Sequence, residues 1–298
     1  MKDFNRKEFQ QLARPVLDTK FYDEDAWECE DFYRYATETE EEDEYNGPTL
    51  GYEDVMDAVE GMVYRLPGEP ILPAFARLLD YVYAAAIENE DADRINNYGA
   101  LFYDGRIGEQ NFKKAAELYK IADRLGNPNA TCNLGYIYYY GRTGEPDYQQ
   151  AYKYFSKSAL RDEDPIAYYK LGDLFKNGYY VEKDLNAAFT LYEKSYDLYS
   201  DDDEDFVYGE YWSRRADAAF RLGDCYLNGL GVEADPMEAL KYLQEAERGF
   251  VHRISNGDYF VRKMLSATIE KENEARQRLS ASLPSDDWAR SLTGYSTL

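Results

Sequence analysis

Leu222–Ala246 reads LGDCYLNGLGVEADPMEALKYLQEA, and its phase recurs three times upstream. Gly223 and Gly229 align with Gly172 and Gly178, with Gly135 and Gly141, and with Gly99 and Gly105, each pair six residues apart. Ten residues after the second glycine stands an alanine: Ala115, Ala151, Ala188 or Ala239. Four further on stands a bulky apolar residue: Tyr119, Phe155, Tyr192 or Leu243. Three beyond that is a small one: Ala122, Ser158, Ser195 or Ala246. The copies are offset by 36, 37 and 51 residues. Self-similarity at a period of about 20–50 residues marks stacked supersecondary units, each unable to bury its apolar face alone.

Each unit reads as a helix pair. In the last copy Phe220, Leu222, Gly223 and Tyr226 fall on one helical face. A mid-helix glycine costs about 1 kcal/mol relative to alanine, so its recurrence predicts the close approach of a neighbouring helix. Gly229 ends the first helix as a residue free to take positive φ. Asp235-Pro236 opens the second, with aspartate as cap and proline at the first helical position. Ala239, Leu243 and Ala246 then face the first helix.

These residues resemble the Sel1-like repeat family, a relative of the tetratricopeptide repeats. The family pattern runs leucine-glycine, an aromatic, glycine-x-glycine-valine, aspartate, lysine-alanine, an aromatic pair and a small-residue end. The last copy carries Leu222-Gly223, Tyr226, Gly229-Leu230-Gly231-Val232, Asp235, Ala239 and Ala246. Earlier copies depart: Ile107, Thr143 and Tyr180 replace Gly231, only Val181 keeps the valine, and Tyr98 replaces the leucine of the first copy. The resemblance covers Asn97 to Gly249. It implies an all-α protein, a right-handed α-solenoid of antiparallel helix pairs, whose role is non-enzymatic protein–protein interaction.

Outside the repeats, residues 1–50 form an acidic extension, partly ordered. Asn5–Leu17 reads as an amphipathic helix with Phe9, Leu12 and Val16 inward. Trp27–Tyr35 carries enough aromatic residues to pack, whereas Thr37–Glu44 reads as a tail or loop. Asn46-Gly47-Pro48 is a turn signal. Residues 51–96 read as a degenerate N-terminal repeat: a helix over Tyr52–Arg65 with Val55, Val59, Met62 and Val63 inward, then one over Leu72–Asn89. Residues 97–249 hold the repeats, with an acidic insertion near 199–211 that includes DDDED at 201–205. Residues 250–298 supply a capping helix, with Phe260, Val261, Met264, Leu265 and Ile269 as its apolar face, and a frayed tail from Ser280.

Composition narrows the function. The chain has 298 residues, 58 acidic against 34 basic, for a net charge of −24. That sign repels nucleic-acid phosphates and anionic lipid and suits a cationic partner. No apolar stretch approaches the roughly 18 residues of a membrane span, and the start shows no secretory h-region. Three cysteines (Cys29, Cys132 and Cys225) and one histidine (His252) offer no zinc-ligand set and no thiol–imidazole pair. Asp201, Asp203 and Asp205 begin like a calcium loop, but Phe206 and Trp212 stand where its glycine and closing glutamate belong. No cofactor or metal is expected, and the setting that fits is cytoplasmic, with the protein a monomer or weak dimer.

In the related tetratricopeptide fold the first helix of each pair lines a concave face. Carried over, that resemblance implies a surface of Asn96, Ala100, Tyr103 and Asp104; Cys132, Tyr136, Tyr139 and Tyr140; Tyr169, Asp173, Lys176 and Asn177; and Phe220, Asp224, Leu227 and Asn228. The set is aromatic and acidic, and tyrosine is enriched at binding surfaces. Several of these tyrosines could instead pack one repeat against the next. Two functions are consistent with such a surface. One is a scaffold holding a basic or amphipathic segment of a partner protein. The other is an acidic immunity or inhibitor protein that masks a basic toxin or nuclease. The inserted loop is an alternative binding surface.

Overall fold

The computed structural model of the chain describes residues 2–39, 48–66, 68–199 and 210–282. Four sequence readings lie outside these: most of the Thr37–Glu44 segment, the Asn46-Gly47 turn, the 201–205 acidic run with its calcium-like spacing, and the tail beyond 282. The chain divides into two compact units, residues 1–147 and 148–298.

In the first unit two-residue strands β1 (Phe4–Asn5) and β2 (Thr49–Leu50) pair antiparallel, with Phe4 opposite Leu50. The helices α1 (Arg6–Ala13) and α2 (Glu30–Thr37) pack through Phe9 and Phe32, whose ring centroids lie 6.1 Å apart. Phe9 and Val16 are buried as expected, and Leu12 is half-buried. Arg6, Gln10 and Arg14 donate to the carbonyls of Glu38, Tyr35 and Ala36, which close the open end of α2. Next come α3 (Tyr52–Arg65) and α4 (Pro73–Glu88), with Val55, Val59, Met62 and Val63 buried along α3.

The next three helices are α5 (Ala92–Tyr103), α6 (Phe112–Arg124) and α7 (Pro128–Tyr139), and two arginines tie α5 and the connector after it to α3. Arg94 of α5 meets Glu53, Asp57 and Glu60 of α3 at 2.9, 2.8 and 3.3 Å. The buried Arg106 guanidinium donates to the carbonyls of Val63, in the last turn of α3, and of Leu66 and Glu69 beyond it.

The second unit comprises α8 (Tyr148–Asp162), α9 (Pro165–Asn177), α10 (Leu185–Asp197), α11 (Glu210–Asn228), α12 (Pro236–Ser255) and α13 (Arg262–Ser282). Its first-helix glycines explain themselves. A Cβ on Gly172 would collide with the ring of Tyr192, and one on Gly223 would lie 2.6 Å from Leu243 Cγ. Hence the close neighbour is the bulky side chain twenty residues on, with the carbonyls of Ala188 and Ala239 at 3.1 and 3.3 Å behind it. In the first unit Tyr119 meets Gly99 in the same way, at 2.7 Å.

The connector inside each pair is built the same way four times. The second glycine is left-handed, with φ of +66° at Gly229. The next residue donates its N–H back to the first helix: Arg106 to Leu101, Arg142 to Ile137, Tyr179 to Leu174, Leu230 to Cys225. Six residues after that glycine, Asn111, Asp147, Asp184 and Asp235 donate their N–H to Phe102, Tyr138, Phe175 and Tyr226. The side chains of Asn111, Asp184 and Asp235 then accept from the N–H groups that open the second helix. In the last connector Gly231, at φ +76°, leaves no room for a Cβ beside the Leu185 carbonyl. Tyr180 takes the same left-handed conformation at φ +65°, with its ring 5.7 Å from Tyr152.

The capping helix keeps only part of the face its apolar residues suggest: Val261 is buried, and Met264 and Leu265 pack half-buried against the cluster around Phe250. Phe260 is 92% exposed, in the short 3-10 turn before α13, and Ile269 is exposed as well. The inward side carries Val261, Thr268, Glu272 and Ala275. Two polar residues sit on this face with a partner on one atom each, while the second carboxylate oxygen of Glu272 is buried without one. Thr268 donates to the Met264 carbonyl at 2.8 Å, and Glu272 accepts from Arg276 at 2.6 Å.

Candidate functional site

The sixteen positions that the resemblance places on the first helices divide between the units, and their surroundings differ. In the first unit Asn96 of α5 is buried and accepts from Asn133 of α7 at 3.2 Å, which links the two first helices. Cys132 is buried too. Tyr103 is half-buried, edge-on to Phe112 at 5.1 Å, and Asp104 beyond it is exposed. The end of α7 carries three tyrosines in mutual contact. Tyr136 stacks on Tyr140 at 6.0 Å, and Tyr139 meets Tyr140 edge-on at 5.0 Å. Tyr140 is 47% exposed, and the Arg142 guanidinium lies 5.4 Å from its ring.

In the second unit the charged members are engaged with one another. Arg221 of α11 grips Asp173 of α9 with two hydrogen bonds of 2.7 Å and lies 4.3 Å from the Tyr169 ring. Tyr192 donates to the same carboxylate at 3.0 Å, and Lys170 stands 3.6 Å away. Burial alone would raise the Asp173 pKa. The Arg221 guanidinium outweighs it and holds the carboxyl below the usual carboxylate range. One turn along, Asp224 of α11 takes Lys176 of α9 on one oxygen at 2.5 Å and Lys271 of α13 on the other at 2.6 Å. Asn228 donates to it at 2.9 Å. Here too burial raises the pKa, and the two lysines bring it below the ordinary value.

The predicted surface is thus sorted by contact. Asp173, Lys176 and Asp224 are rungs between neighbouring first helices. Tyr169 and Leu227 are buried, and Phe220 packs on Phe250 of α12 at 6.5 Å. Asn177 and Asn228 are exposed, with their amides on the carbonyls of Asp173 and Asp224. The tyrosine cluster of α7, with Tyr103 and Asp104, keeps the most exposed aromatic and acidic surface.

The sequence reading missed Arg221 and Lys271. A signal was available: Asp173–Arg221, Lys176–Asp224 and Asp224–Lys271 are opposite charges 48, 48 and 47 residues apart. The first two separations are the local period of 51 less three, the offset of one helical turn. Burial pushes the Cys225 thiol up to about 12, so it stays protonated at neutral pH. Among the described residues no three His, Cys, Asp or Glu side chains are grouped to hold a metal. No described helix is long and apolar enough to cross a membrane.

Polar links between first helices within each unit, and a glycine connector built the same way four times, are what a repeat family would share. A family profile for the Sel1 repeat matches residues 95–127, 128–163, 165–200 and 216–248. The chain belongs to the Sel1 repeat family. Among solved structures it is similar to the Sel1 repeat protein of Oxalobacter formigenes, 19% identical with a TM-score of 0.50, over 75% of this chain and 93% of that one. It is also similar to c5321, described as a protective antigen of uropathogenic Escherichia coli with an SLR fold. That match is 20% identical with a TM-score of 0.48, over 85% of this chain and 53% of the other. The immunity protein Pa5087 of Pseudomonas aeruginosa matches at 19% identity and a TM-score of 0.33, over 64% and 81% of the two chains. These identities bear on the fold alone. No curated protein sequence matches the chain. Sel1 repeats generally serve as protein-interaction scaffolds.

Proposed function

We propose that this Sel1 repeat protein is a non-enzymatic scaffold that holds a basic or amphipathic segment of a partner protein. The segment lies on the first-helix face of the first unit, where Tyr103, Asp104, Tyr136, Tyr139 and Tyr140 contact it. The observation that carries the reading is the tyrosine cluster at the end of α7. Its rings are ordered by mutual contact, yet Tyr140 keeps 47% of its surface in water. Rigid, partly exposed tyrosines give large contact area at low entropic cost. The net charge of −24 supplies long-range attraction for a basic segment. Asp173, Lys176 and Asp224 act in this scheme as the ladder that keeps the scaffold in shape.

Binding of a panel of basic, neutral and acidic helical peptides to the full chain, followed by fluorescence anisotropy, tests the proposal. Basic amphipathic peptides should bind best. Tyr139→Ala and Tyr140→Ala should each weaken them by about 2 kcal/mol, some 30-fold, mainly through faster release. Equal affinity across the panel, or full affinity in both folded variants, would refute it.

A further inference from the structure

A second surface lies outside the four repeats, in the segment Tyr22–Tyr33, YDEDAWECEDFY. It is firmly anchored from below. Phe21, Cys29 and Phe32 are buried, Phe21 packs edge-on against Phe75 of α4 at 5.2 Å, and the Cys29 thiol reaches the Phe21 carbonyl at 3.7 Å. The Asp23 carbonyl and carboxylate accept from Ala26 and Asp25 N–H, at 3.1 and 3.2 Å, which fixes the turn between the anchors. Its outer side is aromatic and open to solvent. Trp27 is 80% exposed, and Tyr33, half exposed, stacks on Tyr22 at 5.8 Å with an interplanar angle of 22°.

These rings border a cleft of about 590 Å³, with Glu24, Asp25 and Glu30 around it. Sites that seat small ligands span about 300–1,000 Å³. The nearby cations of the chain are already paired: Arg65 with Asp23 on the wall of the cleft, Lys20 with Glu69 and Arg34 with Asp31. Among the described residues Glu24, Asp25 and Glu30 form no ion pair. The cleft therefore combines aromatic faces, which attract cations through their quadrupole, with carboxylates that carry uncompensated charge. A tryptophan turned outward on a well-anchored turn adds nothing to the core, and its surface is available to a partner.

We propose that this cleft seats an arginine side chain of a partner protein. The guanidinium plane stacks on the Trp27 or Tyr33 ring, and its N–H fork meets the carboxylates. Arginine is favoured over lysine because its planar ion stacks on aromatic faces, donates to carboxylates in pairs and is more weakly hydrated.

The test uses the full chain labelled with 5-fluorotryptophan, with the Trp27 signal assigned through Trp27→Phe. The probe is a short acetylated, amidated peptide containing two arginines, alongside its lysine and citrulline counterparts. The arginine peptide should shift the Trp27 resonance saturably, the lysine peptide more weakly, and the citrulline peptide not at all. Trp27→Ala should weaken arginine-peptide binding by about five- to tenfold with an unchanged melting temperature. The triple change Glu24→Gln, Asp25→Asn, Glu30→Gln should weaken it and flatten its salt dependence. Tyr140→Ala should leave it unaltered, which separates this cleft from the α7 surface. A Trp27 signal that does not move, or one that moves equally for all three peptides, would overturn the proposal.

Discussion

At the scale of single residues the Asp173–Arg221 pair shows how a position that the resemblance assigns to a binding surface also serves the fold. Both side chains are largely covered, at 14% and 12% exposure, and the carboxylate is satisfied by Arg221, Tyr192 and Lys170 together. Arg221→Met removes the main partner and leaves a buried carboxylate. The expected cost is about 3–5 kcal/mol at pH 7, read from denaturant unfolding. The pH dependence has a definite sign. The native carboxyl is held below its unfolded value of about 3.9, so its contribution is complete above that value and fades as pH falls through the lower native pKa. In the variant, burial without the guanidinium raises that pKa, and acid relieves the penalty. The stability gap between the two proteins should therefore narrow on acidification. A gap that stays constant from pH 7 to pH 3 would show that the lost methylene packing of Arg221, not the ion pair, sets the cost. The sequence displayed Asp173 as a groove acid because its spacing from Gly172 was visible. Its partner stands 48 residues away, beyond the reach of any local spacing signal.

At the scale of elements, the helix pairs were legible because their signals are local. The glycine, the cap at Asp235, the Pro236 start and the apolar face of α3 each act within one turn, and the structure has them where the spacing put them. The face of α13 was legible in part. Val261, Met264 and Leu265 pack against the cluster around Phe250 as hydrophobicity predicts, but Phe260 and Ile269 stay exposed, because the helix is also oriented by what α11 and α12 offer it. Lys271 reaches Asp224, Arg278 reaches the Leu227 carbonyl, and Ala275 joins Leu227 and Ala239 in a small apolar cluster. The small size of Ala275 is what lets the helix sit down. Ala275→Asp would place a carboxylate among Leu227 and Ala239 and should cost at least about 3 kcal/mol, against less than about 0.5 kcal/mol for Ile269→Asp on the exposed side. Comparing the melting temperatures of the two variants checks the orientation of α13. Similar losses in both would mean that Ile269 faces the protein as well.

At the scale of the whole molecule the dominant quantity is charge. With 58 acids against 34 bases, at least 24 carboxylates have no basic partner of their own. The repulsion among them acts across the surface and is screened by salt, with a Debye length that falls from about 30 Å at 0.01 M to 8 Å at 0.15 M. The ladder pairs respond less, because Asp173, Arg221 and Asp224 are mostly withdrawn from solvent. Salt therefore weakens the unfavourable long-range term more than the favourable short-range one. The melting temperature should rise between 0.01 and 0.15 M NaCl, by about 2–4 °C for each kcal/mol of repulsion relieved. The same screening should weaken any complex with a basic segment, so stability and affinity should move in opposite directions over this range. Calorimetry and anisotropy on one preparation measure both. A melting temperature that falls with salt would show that surface ion pairs outweigh net repulsion. An affinity indifferent to salt would show that the partner is held by apolar contact with the tyrosines alone.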